Sequence, residues 1–533
     1  MRNLKVPVTA KDSLFDTEKF GWWHSRLAPS AVVRLENGME GFFRRSILAL
    51  MPAEIIGEKF DPVMGCPTKE LFAMSGLQLW AEFHGWTVDE TADAVAFNTA
   101  LQYALNLPPD HQYLCPRTVD NYRRIFRESE VAQGVFESVT ARIVAELQIN
   151  IKKQRLDSTH VLSNMAKFGR LKLLAVCVQR FLAQLKKNKL ADYEALSAEL
   201  RERYDMAPSR LFFGGKKATK TERENDYEKN IQQVGEDMGE LIAEFGEHAV
   251  IAGWQSFCAV SRAFCEHYEL SEESIQLRPK SVDENGQSAR TLQNPSDADA
   301  TFDGHKGSGY KTQLAQAHDH GEDAPGIITA CVPQTAAEAD SASVGEVHEQ
   351  QERMGTLPAE QFADTSYGSQ ANVEAAAQRG VKLEAPVPGQ APCARAIADG
   401  KIARPKSATE QRRELQESDE WKKKYAARSG IEGLNATLKN QLGLRRLRVR
   451  GMAAVKTSIY LKVTAWNVQT ASKIIKSRLR RKKKAACAAM RASRTRQIGK
   501  RTSKTGKITQ RPRMMRRANG GFFGGRTLMI VRG

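Results

Sequence analysis

The chain has 533 residues, 41% of them hydrophobic and 27% charged, which is globular composition with length for two or three cored domains. Its net charge of +18 is concentrated at one end: residues 473–533 hold 8 Lys and 13 Arg and no Asp or Glu, and the rest is near neutral. These features exclude a uniformly basic protein. A membrane span is excluded too, because no apolar run approaches the roughly 20 residues a span needs.

Met1–Phe20 lacks the apolar stretch of a signal peptide, and the eight cysteines form neither a CxxC pair nor a Cys/His zinc spacing. A cytoplasmic protein is expected. In chain order, residues 1–148 read as helical. Leu71, Met74, Leu77, Trp80 and Phe83 form one apolar face between Glu70 and Trp86. Thr87 and Glu90 have the spacing of a capping box and start the next helix. Cys115-Pro116-Arg117-Thr118 leads into a short basic helix through Arg123, Arg124 and Arg127. A helix, a turn and a basic helix suit DNA binding, so Arg117, Arg123 and Arg124 are candidate contacts; a plain helical bundle with a solvated Arg face reads equally well.

From Ile149 the pattern changes to a strand expected to end near Asp157. A helical block follows over 165–275, with core stripes such as Leu174, Val178, Phe181 and Leu185. A polar loop covers 278–308. Strands are expected at Tyr310–Ala317, Gly326–Val332, Phe362–Asp364 and Val381–Pro388, interleaved with helices at Val344–Met354 and Gln370–Gly380. Residues 389–410 read as a linker. One long helix is expected from Ser418 to about Leu442 and another from Val455 to Lys476, before a basic tail, 477–533, too self-repelling to order alone. Strands alternating with helices suit a mixed sheet with helices on its faces.

Three acids stand out by position. Asp157 and Asp364 are expected at strand ends, and Glu432 lies within a helix. Clustered carboxylates supply the hard oxygen ligands that magnesium prefers. Two such ions about 4 Å apart can activate the attacking oxygen and stabilise the leaving oxygen of a phosphodiester. Tyr425, Arg428, Glu432 and Lys439 would share one face of a continuous helix, an acid flanked by two cations and a phenol. A salt-bridged surface helix has the same spacing.

Tyr-x2-Arg-x3-Glu-x6-Lys at 425–439 resembles the YREK signature of DDE transposases of bacterial insertion sequences. Leu156-Asp157-Ser158-Thr159-His160, Asp303–Tyr310, Phe362-Ala363-Asp364-Thr365-Ser366-Tyr367-Gly368-Ser369 and Leu447–Gly451 are similar to further segments of that family, in its order. The resemblance implies an α/β fold: a ribonuclease-H-like catalytic core over 149–476 with a helical insertion after its first strand, behind an all-α N-terminal domain at 1–148. It implies that Asp157, Asp364 and Glu432 are catalytic and hold Mg2+ or Mn2+, as two ions in the family's manner, with Tyr425, Arg428 and Lys439 on DNA. It further implies cleavage at the ends of an element, strand transfer into target double-stranded DNA, work as a homodimer or larger assembly near the nucleoid, and no membrane partner. Ser366 departs from the glycine usual there, and the 389–410 segment is short. A copy that binds DNA without cutting it, or a different ribonuclease-H-like nuclease, are the competing readings.

Overall fold

A computed structural model describes residues 27–504 except 62, 66–67, 109–112, 206–219, 272–273, 319–325 and 390–406, and describes no side chains at 220–225 or 491–504. The chain divides into two compact units, Met1–Lys476 and Ser477–Gly533. Among the described residues the strands are β1 Lys153–Val161, β2 Tyr268–Leu270, β3 Ile275–Leu277, β4 Thr301–Asp303, β5 Gly307–Ala317, β6 Ile328–Thr335, β7 Glu360–Phe362 and β8 Lys382–Glu384. β2 and β3 form a small separate hairpin, and the other six make one mixed sheet.

β1 sits where the sheet changes sense. On one side it pairs antiparallel with β5 along its length, Gln154 opposite Ala317 through Val161 opposite Tyr310. On the other it pairs parallel with β7, but only from Lys153 to Arg155. β5 continues antiparallel to β6, and β7 parallel to β8, so the long path reads β6-β5-β1-β7-β8. The expected end of β1 at Asp157 is therefore corrected. Ser158, Thr159 and His160 look like loop residues in sequence, but the β5 ladder holds them in the strand, and Ser158 and Thr159 are buried.

The sheet is covered on both faces. Leu156, Ala315, Ala330 and Val332 pack under helices Val344–Met354 and Gln370–Gln378 through Val347 and Ala376, and under the 3-10 turn Thr365–Tyr367 through Tyr367. On the other face Val161, Tyr310 and Leu314 join Ile431, Leu434 and Leu438, with Ile459 and Trp466 of the last helix. The N-terminal helices enter this same cluster through Phe43, Leu77, Val119, Phe136 and Ile143, and Phe136 stands 5.9 Å from the ring of Tyr460. Residues before 148 thus share the core of the sheet. The block between β1 and β4 has its own core, in which Leu174, Phe181, Met238, Leu241 and Val260 pack helices Arg170–Asn188, Lys220–Phe245 and Gln255–His267 together.

Three further expectations change. The continuous helix from Ser418 is three pieces: helix Asp419–Tyr425, a 3-10 turn Ala426–Ser429, and helix Gly430–Gln441. Helix Ala408–Glu417 occupies the end of the expected linker, capped reciprocally by Ser407 and Glu410; the rest of that linker lies outside the described residues. The last helix is Met452–Lys504, so 477–504, expected without order, are helical, and residues 480–490 are exposed along it. No helix of the described residues is long and apolar enough to cross a membrane.

Candidate active site

The change of sense at β1 opens the site. β1 and β7 stop pairing at Arg155 and Phe362. Asp157 follows two residues beyond the last pair on one strand and Asp364 two beyond it on the other. Both carboxylates therefore occupy the gap past the C-terminal end of a parallel pair, where backbone diverges and side chains can reach a common point. Helix Gly430–Gln441 crosses this gap, held to the sheet by buried Ile431, Leu434 and Leu438. Glu432, on its first turn, faces the same opening.

Arg428 binds the three acids together. Its Nη2 lies 3.9 Å from Asp157 and 3.7 Å from Asp364, and its Nη1 lies 3.8 Å from Glu432. The acids differ in exposure: the side chain of Asp157 is 17% exposed, Asp364 47% and Glu432 68%. Burial raises the Asp157 carboxyl above its usual range and Asp364 adds to the rise, while Arg428, the Ser158 N–H and Lys306 oppose it. Asn435 donates to Asp157 Oδ2 at 3.0 Å, and the Thr365 N–H donates to Asp364 Oδ1 at 2.6 Å. A guanidinium thus stands among the three acids. Among the described residues no three His, Cys, Asp or Glu are close enough together to hold one ion.

The break in the helix makes this possible. The 3-10 turn at Ala426–Ser429 rotates Arg428 relative to the helix that follows. The Arg155 guanidinium packs against the bare Cα of Gly430, so a side chain there would make the arginine shift. Tyr425, expected on DNA, donates its hydroxyl to the Ala363 carbonyl at 2.9 Å, and burial pushes it up to about 12. Its ring stacks on Trp421 at 4.6 Å, and the Trp421 indole donates to Glu384 at 2.8 Å. Lys424 pairs with Glu360 and Glu384. Helix Asp419–Tyr425 is therefore clamped over the ends of β7 and β8, fixing the backbone that carries Asp364.

Ser366 lies in the 3-10 turn Thr365–Tyr367 and is not among the described residues with positive φ, so the serine strains nothing. The residue that must be small is Gly368, where a Cβ would lie 2.0 Å from the Pro386 carbonyl oxygen. Behind the site, Lys311 pairs with Asp340, which also accepts from Ser158 at 3.0 Å and Gln313 at 3.0 Å. Tyr367 donates to Gln313.

Burial lowers the Lys439 ammonium, and the neighbouring charges of Lys306 and Arg445 lower it further, while the charge of Asp157 raises it. Lys306 and Asn435 were not singled out by sequence reasoning. For Asn435 the signal was available, because it follows Glu432 by three residues and so shares its helix face. Lys306 has no such local signal; β5 brings it to Ser158, to which it donates at 3.2 Å. The basic N-terminal helix stands as Pro116–Glu128, with Arg117 exposed. Arg123 instead turns inward to the Trp86 carbonyl, at 2.9 Å, and the Thr91 hydroxyl, and Arg124 pairs with Glu128.

The structure thus defines a mixed α/β protein with a carboxylate site at the C-terminal end of a parallel strand pair. Residues 388–471 match a family described as transposase DDE domain. The matched stretch carries Tyr425, Arg428, Glu432 and Lys439 and supports a DDE transposase, an enzyme family of transposases and nucleases whose partner is DNA. No curated protein and no solved structure matches the chain.

Proposed function

We propose that this chain is the transposase of an insertion element, binding the element's ends and using a divalent metal to cleave DNA and join it to a target. One observation carries the reading: carboxylates from β1, from the end of β7 and from helix Gly430–Gln441 meet around a single guanidinium. Two of them lie outside the matched residues 388–471, so the fold brings the remaining acids to the family's helix independently. The strand order β6-β5-β1-β7-β8, two antiparallel pairings followed by two parallel ones, supports a ribonuclease-H-like core.

The donor set fits magnesium or manganese, being all carboxylate oxygen. Asp157, Asp364 and Glu432 would hold the ions, the latter two being exposed enough to turn toward them. Bound there, the ions would supply Lewis-acid stabilisation of charge on the reacting phosphate. The desolvated Asp157 carboxylate gains most from a nearby cation. Arg428, already charged and only 20% exposed, would be displaced from the acids onto phosphate oxygens, where a planar fork binds well. Asn435 holds the Asp157 carboxylate in place, and Tyr425 holds the backbone before Asp364. Lys439 and Lys306, whose charges act around Asp157, present charge to the DNA strand.

The test uses duplex DNA carrying the borders of the element that encodes this chain. With Mg2+ or Mn2+ the full-length protein should cut at those borders, leave 3′-hydroxyl ends, and join them to a second DNA. Cleavage at unrelated positions, without joining, points to a general nuclease and removes the transposase reading.

A further inference from the structure

Four arginines beside the active site have no role in the chemistry above. Arg445, Arg446, Arg448 and Arg450 follow helix Gly430–Gln441 and are all exposed. The segment that carries them is not a loose loop. Leu444 and Leu447 between them are 0% and 2% exposed and belong to the main core. The backbone is pinned alongside the end of β1: the Leu162 N–H donates to Arg445 O at 3.1 Å, Leu447 N–H to Leu162 O at 2.7 Å, and Asn164 N–H to Val449 O at 3.0 Å. Leucines inward and arginines outward on a fixed backbone make a rigid row of cations.

That row lacks counter-charge. Arg446 and Arg450 donate to the carbonyls of Met165 and Asn164, which orients them without neutralising them. Among the described residues, none of the four forms an ion pair. Asp297 and Asp299, beyond the far end, accept from the backbone of Gly451 and Met452 instead, and Glu90, the acid that feels Arg448, is already capped onto Thr87.

The surroundings add cations. At one end the charge of Arg445 is felt by Lys439, next to Asp157. Further along, Arg448 bears on Arg123, and Arg450 on Arg180. Arg446 and Arg448 line a cleft of about 670 Å3 together with Arg123 and Arg127, with Glu82 and Asp120 also in its lining. Cations held close on a fixed backbone repel one another and await an anion with repeated charge.

We infer that the segment Leu444–Arg450 is a rail for the sugar–phosphate backbone of duplex DNA, leading away from the catalytic carboxylates. It rests on the DNA reading above and adds to it where the duplex beside the cut is held. Contacts to phosphate fix register without reading sequence, so the rail serves element ends and target DNA alike.

The test is a double substitution, Arg445→Gln with Arg448→Gln, in the full chain; among the described residues neither side chain makes a hydrogen bond, so the fold should be unaffected. Binding to a labelled random-sequence duplex is measured against salt, with nicking of supercoiled plasmid in Mn2+ alongside. Two lost phosphate contacts should reduce the salt slope by about 1.8 and weaken binding roughly tenfold near 0.15 M salt. The Lys pair, Arg445→Lys with Arg448→Lys, should restore most of both. An unchanged slope in the Gln variant, with wild-type binding and nicking intact, overturns the rail alone. A reduced slope in the Gln variant, where the wild type binds but never nicks, keeps the rail and removes the catalytic reading. A wild-type protein that does not bind duplex removes both, and stronger competition by single-stranded RNA than by duplex DNA overturns the assignment of partner.

Discussion

Arg428 decides the electrostatics of the site. It lies within 4 Å of an oxygen of each of three carboxylates, one of them desolvated. Replacing it by Gln leaves the acids facing one another with no cation among them. Removing one partner of a buried charge network costs several kcal/mol, but Asp364 and Glu432 are exposed enough to reduce that to roughly 1–2 kcal/mol. The Arg428→Gln protein should therefore melt lower than wild type without metal, and Mg2+ should raise its melting temperature by more than it raises the wild type's. Equal responses to Mg2+ would show that Arg428 and the ion do not share the acids. The acids themselves were legible in sequence as two strand-associated aspartates and one helical glutamate. The arginine was legible only as a neighbour of Glu432 on a helix face. Its position among all three depends on the 3-10 turn, and in Ala426-Ala427-Arg428-Ser429-Gly430 the local sequence carries only weak warning of that break, in Ser429 and Gly430.

At the scale of elements, helix Asp419–Tyr425 acts as a clamp. Tyr425→Phe keeps the stack on Trp421 and removes the hydrogen bond to Ala363. We expect a loss of about 1 kcal/mol in stability and a larger loss in cleavage, because the backbone leading to Asp364 is released. Wild-type cleavage by this variant would reduce Tyr425 to packing. The helical block between β1 and β4 makes a separate prediction. His267 is buried, accepts from Arg170 Nε at 2.8 Å, and is lowered to about 4, by burial first and then by the Arg170 charge. Its folded-state value is depressed, so its contribution to stability is present above about pH 6.5 and is lost as the pH falls toward 4. Between pH 7 and pH 5 the block should lose roughly 2 kcal/mol through this residue, and His267→Gln should flatten that part of the pH dependence in urea unfolding. A variant as acid-sensitive as wild type would assign the effect elsewhere. Most of these elements were legible because their apolar spacing is regular, as in the helices Val344–Met354 and Gln370–Gln378. Short strands such as β4 and the β2–β3 hairpin were missed because three residues carry no period. Helix Ala408–Glu417 was missed although Ser407 and Glu410 have capping-box spacing, because few apolar residues follow them.

At the scale of the molecule, the sequence separates a near-neutral majority from a basic end, and the mixed sheet with a helical block after its first strand follows from the alternation of patterns. What could not be read is the shared core. Phe136 and Ile143 meet Tyr460 and Trp466 across more than half the chain, and no local pattern reports a contact of that range. The basic end makes its own prediction. Truncation after Lys476 should weaken binding to all duplex DNA and make the salt slope shallower, while the preference for element ends over random duplex stays the same, because phosphate contacts carry little sequence information. Loss of the preference with affinity intact would make the basic end the reader of sequence. Asp157, Asp364 and Glu432 together form the proposed metal-dependent site for cutting DNA. Its most direct test is the nicking of supercoiled plasmid in Mn2+ by the full-length protein and by Asp157→Asn, Asp364→Asn and Glu432→Gln, each first shown to be folded and to bind DNA. The wild type should convert plasmid to open circles only when metal is present, and each variant should fall by about 1,000-fold or more. A variant that nicks at the wild-type rate, or a wild type equally active in excess chelator, would contradict it.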